Sequence, residues 1–516
     1  LGVGTLLEGT IRRQADRVRV NVELIDARTN RNLWAEKFEG PTSDIFGIQS
    51  EIAEKLAARL KVELSAGTER ALERAPTVDP EAYELVLRAR YLRNLETGEN
   101  MVKAARYFEQ ATERDPDYAL AWAGLAEVRS VMPMGYGPRE LWPELPGKAM
   151  KAADRALELD DRLAEAHLSK GIILLHHPPH DEAAAEKELR RAIELNPRLA
   201  NAHRELGLML YRKMGRVEDG LAELVVTNEL EPFWPMAEDH LAEAYAAKGD
   251  VVRSVEALRR YEELGALNED SPAFEASMAL QDFGAAERVV EEMVDSDSGW
   301  SLRHASLFLS LTGRAAEAAA VVDRVLKRPD HHRNQAAAGV VALFAAEYGA
   351  AIPHLERANE GYVDPVGLFG SMLYDQEYAT LLGYAHLKMG NEEQALGLFA
   401  ETEQYYTDRI TRGDTSIKAR VGLAAVHALR GDREAAYDWL QQAIDAGFYQ
   451  YAEAERHLLL ESLHGEERFQ QMMDGVKARV EEARRQVHPL EPAGVRRGSS
   501  PATETPGERS TPRPGR

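Results

Sequence analysis

A three-part helical punctuation returns along this chain and restricts what it can fold into. Ala104, Phe108, Ala111 and Pro116 form one copy, Ala185, Leu189, Ala192 and Pro197 a second, and Gly220, Leu224, Thr227 and Pro232 a third. The gaps are four, three and five residues each time, so the first three side chains share one helix face and the proline stops the helix. Each such helix has a partner, marked by Trp122, Leu125 and Ala126, by Leu206 and Gly207, and by Leu241, Ala242, Tyr245 and Gly249. Small residues in that partner let two helices cross closely. The unit is a helix pair, and units of this kind stack.

Taken together these positions resemble the tetratricopeptide repeat, a 34-residue helix pair with a Trp, Leu-Gly, Tyr, Ala, Phe, Ala, Pro skeleton. The resemblance runs from about residue 80 to 465 and is strongest from Tyr83 to Asn268. Farther on, Gly313, Ala318 and Val322 fit one copy, and Gly339, Ala351, Leu355 and Ala358 a second. Gly390, Ala395 and Phe399 fit a third, and Gly431, Ala436, Leu440 and Ala443 a fourth, mostly without the closing proline. Between Val131 and Pro146, six prolines and glycines forbid a continuous helix and imply a projecting loop. The expected fold is mainly α, a tetratricopeptide α-solenoid of antiparallel helix pairs.

Residues 1–65 follow a different period. Val18, Val20, Val22 and Leu24 alternate with polar residues as a half-buried strand does, and Gly4–Arg13 and Arg31–Phe38 read as its neighbours in a meander. From Ser43, a plausible N-cap, Ile45, Phe46, Ile48, Ile52, Leu56 and Leu60 recur at helical spacing and cover that sheet. The Leu7-Glu8-Gly9 segment, the Arg17–Asp26 strand and Leu33-Trp34-Ala35-Glu36 are similar to the end of the TolB-like, FlgO-type domain. In that family further strands come first, and the segment lacks an initiator Met, so the chain reads as the rear part of a longer protein with a partial small α/β domain at its front. The resemblance implies a bacterial signalling protein whose upstream part is a serine/threonine kinase, an adenylate cyclase or a winged-helix regulator.

The expected organisation is therefore 1–65 for the partial α/β domain, 66–79 for a linker, 80–268 for a well-formed array and 269–465 for a divergent array and cap. Residues 466–487 form a terminal helix and 488–516 a tail too rich in Pro, Gly, Ser, Thr and Arg to pack. Phe448, Tyr449, Tyr451, Leu458 to Leu460 and Phe469 are expected to close the array's apolar end.

Composition closes off several functions. The chain has no cysteine, which removes thiolate nucleophiles, disulfides and cysteine-held metals. A net charge of -23 disfavours nucleic acid as a partner of this region. No apolar run reaches the roughly 18–20 residues that span a bilayer, so any membrane tether would lie upstream, and the compartment is open between the bacterial cytoplasm and the extracytoplasmic face of the inner membrane. No phosphate loop, zinc helix or nucleophile elbow is present, and Gly147-Lys148 is followed by Ala149, which cannot supply a magnesium-binding hydroxyl. No catalytic residue, metal or cofactor is expected.

Three groups of residues invite a chemical reading. His176, His177, His180 and Asp181 have ligand-like spacing, yet surround Pro178-Pro179 at a turn between two helices, where solvent-facing histidines are the simpler reading; His331-His332 is weaker still. Glu401, Glu403 and Glu291-Glu292 read as solvated helix faces. In the copy beginning near Ala200, the tetratricopeptide register implies that Asn201, Arg204, Leu208, Tyr211 and Arg212 face the concave side, where they can hold a peptide backbone or carboxylate. An ordinary solvated face has the same polar stripe. Neighbouring copies offer Glu127, Glu165, Asp239 and Glu243, so the lysine- and asparagine-rich carboxylate clamp of chaperone-tail receptors is not reproduced. The expected role is a protein-interaction scaffold with a protein or peptide partner in the groove.

Overall fold

The computed structural model describes residues 4–41, 44–60, 77, 79–95, 97–134, 142–265, 272–328, 332–360 and 378–487. Ser43, most of the 66–79 linker, the 135–141 part of the expected loop, His331 and the 488–516 tail lie outside those residues. The chain divides into two compact units, Leu1–Glu205 and Leu206–Arg516.

The first unit opens with an antiparallel meander of β1 (Thr5–Gln14), β2 (Arg17–Asp26) and β3 (Arg31–Pro41) in the order β1-β2-β3. Val18, Val20, Val22 and Leu24 of β2 and Trp34 and Phe38 of β3 are buried on one face. Helix α1 (Ile45–Leu60) covers them with Ile48, Ile52 and Leu56. Leu7 and Ile11 of β1 stand opposite Leu24 and Val20, on the same face, and are exposed.

Three helix pairs follow in this unit: α2 (Pro80–Arg93) with α3 (Gly98–Arg114), α4 (Ala119–Val131) with α5 (Leu145–Leu159), and α6 (Ala164–His176) with α7 (Glu182–Leu195). Helix α8 (Ala200–Leu208) begins the next pair. Asp79 caps α2 by accepting from the Glu81 and Ala82 amides at 2.8 and 3.1 Å, with Pro80 in the first turn, where a missing N–H costs nothing. Helices α3 and α7 end two residues before Pro116 and Pro197. The repeat positions Ala104, Phe108, Ala111, Ala185, Leu189 and Ala192 are buried. Gly171 shows why small residues mark the partner helix: a Cβ there would lie 2.8 Å from the Leu189 side chain.

In the second unit α8 continues into a π-helical turn, Met209–Lys213, closed by the Met214 amide on the Met209 carbonyl at 3.2 Å. Then come α9 (Val217–Leu230), α10 (Pro235–Lys248), α11 (Val251–Glu263), α12 (Pro272–Ala279) and α13 (Phe283–Met293). They are followed by α14 (Gly299–Leu311), α15 (Ala315–Leu326), α16 (His332–Phe344), α17 (Tyr348–Glu360), α18 (Tyr378–Lys388), α19 (Glu392–Thr411), α20 (Ile417–Arg430) and α21 (Arg433–Asp445). From α10 onward consecutive helices pack as pairs, and the divergent repeat positions Ala318, Val322, Ala351, Leu355, Ala358, Ala395, Phe399, Ala436, Leu440 and Ala443 are all buried. Gly249, Gly313, Gly390 and Gly431 take φ near +80° at the turn inside a pair, a conformation glycine adopts without Cβ strain. The unit ends with α22 (Tyr451–Ala454), a 3₁₀ segment Leu458–Leu463 and α23 (Glu467–Gln486), where Phe448, Tyr449, Tyr451, Leu459, Leu460 and Phe469 are buried. Both units are built from tetratricopeptide-type helix pairs.

Candidate functional site

The first helix of each pair is where the polar stripe of these units falls. In the first unit, Arg93 at the end of α2 forms an ion pair with Glu127 of α4. The same Glu127 oxygen accepts from the Asn201 side-chain amide of α8 at 3.1 Å. Asn201 accepts from Arg204 Nε at 3.3 Å, Arg204 pairs with Glu205, and Glu205 lies 3.5 Å from His176 Nε2. Five charged or amide side chains on α2, α4 and α8 thus form one hydrogen-bonded track, joined by His176 of α6. They are half-buried, apart from Glu205, which is buried. Charges in such a position are oriented by their partners and keep one side toward solvent, which suits binding polar groups.

Sequence reasoning expects Asn201 and Arg204 to face a concave groove, without the partners that the structure gives them. It assigns Glu127 a comparable position without its role as the junction, because the link between residues 127 and 201 skips a whole helix pair and follows only from the curvature of the stack.

The other three expected groove residues belong to the second unit. Leu208 is half-buried and packs on the apolar core. Tyr211 is buried, and its hydroxyl donates to the Glu243 carboxylate of α10 while accepting from Arg212 Nε at 2.6 Å. Arg212 pairs with the same carboxylate, its guanidinium 5.4 Å from the Tyr211 ring centre. Burial pushes the Tyr211 hydroxyl well above its ordinary pKa. Burial works against the Arg212 cation, but the Glu243 and Tyr211 charges and the hydrogen bonds to both together outweigh it and hold that pKa above its usual range. Of the four acidic neighbours, Glu127 and Glu243 are therefore the anchors of two separate clusters, one in each unit.

The histidine cluster does not converge. The His177 ring donates to the Ser130 carbonyl at 2.6 Å and is buried, which lowers its pKa. His180 donates to the Leu175 carbonyl at 3.0 Å, Asp181 caps α7 through the Ala184 amide at 2.9 Å, and His176 turns toward Glu205. Four potential ligands thus have four different partners. Among the described residues no group of three or more His, Asp or Glu side chains is placed to hold a metal ion. Glu291, Glu292 and Glu401 are exposed, and Glu403 pairs with Arg430. Among the described residues no helix is long and apolar enough to cross a membrane.

No protein-family model matches the chain. A putative adenylate cyclase of Rhizobium meliloti (strain 1021) is 38% identical over 128 residues, which are 25% of this chain and 22% of that protein. Among solved structures, TTC0263, a thermophilic tetratricopeptide protein of Thermus thermophilus, is similar at 19% identity with a TM-score of 0.31, over 39% of this chain and 99% of its own. PilW, a type IV pilus biogenesis factor, is similar at 18% identity and 0.33, over 41% and 91%. YrrB, a tetratricopeptide protein with an unusual peptide-binding site, is similar at 20% and 0.24, over 40% and 94%. The TolB-like resemblance of residues 1–65 rests on sequence alone.

Proposed function

We propose that this chain is a protein-interaction scaffold, the regulatory arm of a bacterial signalling protein, and that it takes an extended protein segment on the first helices of its pairs. One observation carries the reading: Arg93, Glu127, Asn201 and Arg204 come from three different helices and form a single preorganised polar track. Polar groups held in this way lose little side-chain freedom on binding, which removes one of the entropic costs of gripping a peptide. With Glu205 included, the track carries as much negative as positive charge, so a segment with both donors and acceptors fits it better than a polyanion.

The test is photo-crosslinking of the full-length protein, followed by mass spectrometry, in the parent and in Arg204→Glu. Loss of one specific crosslinked protein with helicity unchanged supports the track as the binding face. The same crosslink at the same yield would overturn it.

A second reading concerns the intact polypeptide. The 38% identity to a putative adenylate cyclase supports a nucleotide cyclase upstream of this chain, ahead of the kinase and winged-helix alternatives. Translating the codons upstream of Leu1 and assaying the full-length protein for cyclic nucleotide formation distinguishes the three. A kinase or DNA-reading domain there would replace the cyclase reading and leave the scaffold reading intact.

A further inference from the structure

The helices of residues 206–487 do not run away from their starting point; they return to it. Four contacts join the earlier helices of this unit to its later ones. Thr415 donates through its amide and its hydroxyl to the Gly215 carbonyl at 2.9 and 3.1 Å. Gly215 has φ +66°, and any side chain there would overlap the Asp414 carboxylate. The Gly249 turn then meets the Gly447 turn backbone to backbone, and a Cβ on Gly447 would lie 2.6 Å from the Lys248 carbonyl. Finally, Gln281 donates to Glu453 at 3.0 Å and accepts from its amide at 3.3 Å, while Arg484 Nε donates to the Leu280 carbonyl at 2.7 Å.

Helix α23 spans this seam. At one end Arg468 pairs with Glu434 and lies over the Tyr437 ring of α21. Its apolar stripe Phe469, Met473, Val476 and Val480 is buried, and the helix packs on α11, with Val476 and Val480 lining a cavity whose other side carries Val251 and Val252. Helix α10 also touches α20. A stack of repeats ordinarily contacts only nearest neighbours and leaves two open ends, so contacts between the first and last repeats change its topology.

We infer that the described helices between residues 206 and 487 form a closed ring of helix pairs, fastened by α23 as a strap, and that this closure shuts away the polar face an open array would present. Glu275, His304, Asn334, Gln335, Glu453 and His457 are side chains of this unit that bear a carboxyl, imidazole or amide group, and each is at most 7% exposed. A binding groove leaves such residues wet; here they are enclosed.

The absence of cysteine makes the test clean. Arg253→Cys and Glu482→Cys, one on each side of the seam and both at solvent-facing positions, are spin-labelled together in the full chain. Closure gives one short, narrow inter-label distance; a long or broad distribution overturns the ring. In the same background Val476→Asp with Val480→Asp should broaden that distance. It should also speed tryptic cleavage at the lysines and arginines that follow Gly447 by roughly tenfold or more, as expected when local opening replaces global unfolding as the route to cleavage. Arg484→Ala, a milder change, should move both readouts in the same direction. A distance that stays narrow in both variants overturns the role of α23 as the strap.

Discussion

Asn201 donates its side-chain amide to Glu127 at 3.1 Å across 74 positions of sequence, on the carboxylate oxygen that also holds Arg93. One carboxylate thus ties three helices of the first unit together. Removing it leaves a partly buried guanidinium and an amide without their acceptor, and an unmade hydrogen bond costs more than a made one contributes. Glu127→Ala is expected to lower stability by about 1–3 kcal/mol, read as a shift in the urea midpoint. Combined with Arg93→Ala, the double change should cost measurably less than the sum of the single ones. Strict additivity would show that the pair contributes nothing.

Two helical glycines should respond in opposite directions to the same substitution. A Cβ on Gly220 would lie 2.7 Å from the Gly207 carbonyl and 2.8 Å from Tyr211, beside the π-helical turn. Backbone cannot swing aside as a side chain can, so Gly220→Ala is expected to destabilise by about 1–3 kcal/mol, the usual cost of overpacking. Gly147 sits inside α5 with nothing within 4 Å of the added carbon. Gly147→Ala should therefore stabilise by about 0.5–1 kcal/mol, because alanine restricts the unfolded chain. Thermal melts of the two variants check both signs at once.

What the sequence makes legible follows from the range of each interaction. Helix ends were readable because Pro116, Pro197 and Pro232 act on their own helices, and the burial of Phe108, Leu189 and Phe399 was readable because spacing fixes a helix face. The sheet was readable from the alternation in Val18 to Leu24. Asn201 and Arg204 could be assigned to a face, but not to Glu127, because register says which way a side chain points and not what curvature brings to meet it. The contacts of Gly215 with Thr415 and of Leu280 with Arg484 lie farther beyond local pattern. The accumulated twist of every intervening helix pair decides them, and neither glycine nor threonine signals its partner. The π-helical turn at Met209–Lys213 likewise has no local cue.

His304 makes the stability of the second unit depend on pH. It is buried, stacked 3.8 Å from the Trp300 ring and donating to the Trp300 carbonyl at 2.8 Å, and burial pushes its pKa down to about 3. The unfolded chain, with a histidine pKa near 6.5, binds a proton that the folded chain refuses. Stability from this residue is thus fully present above about pH 6.5 and is lost as pH falls toward 3, at no more than about 1.4 kcal/mol per pH unit. His304→Gln should flatten the dependence of the melting temperature on pH between about 6.5 and 4 relative to the parent. An unchanged slope would assign the pH dependence to other groups.

The cluster of Tyr211, Arg212 and Glu243 separates a structural pair from a binding one. Glu243 is the acceptor for both neighbours and is buried, with Arg212 half-buried against it. Glu243→Gln takes away the charge that keeps the Arg212 cation comfortable out of water, so it should cost about 3 kcal/mol, as breaking one side of a buried pair does. Tyr211→Phe removes only a hydroxyl and leaves the ion pair standing, for a loss of about 1 kcal/mol. Replacing both charges, Arg212→Met with Glu243→Leu, should recover most of the loss, since well-packed apolar groups often match an ion pair in stability. If the recovered double variant keeps its partner crosslinks, Arg212 serves the fold alone and recognition rests on the Arg93, Glu127, Asn201 and Arg204 track. If stability returns while a specific crosslink disappears, Arg212 contacts the partner directly, and the second unit contributes a binding residue of its own.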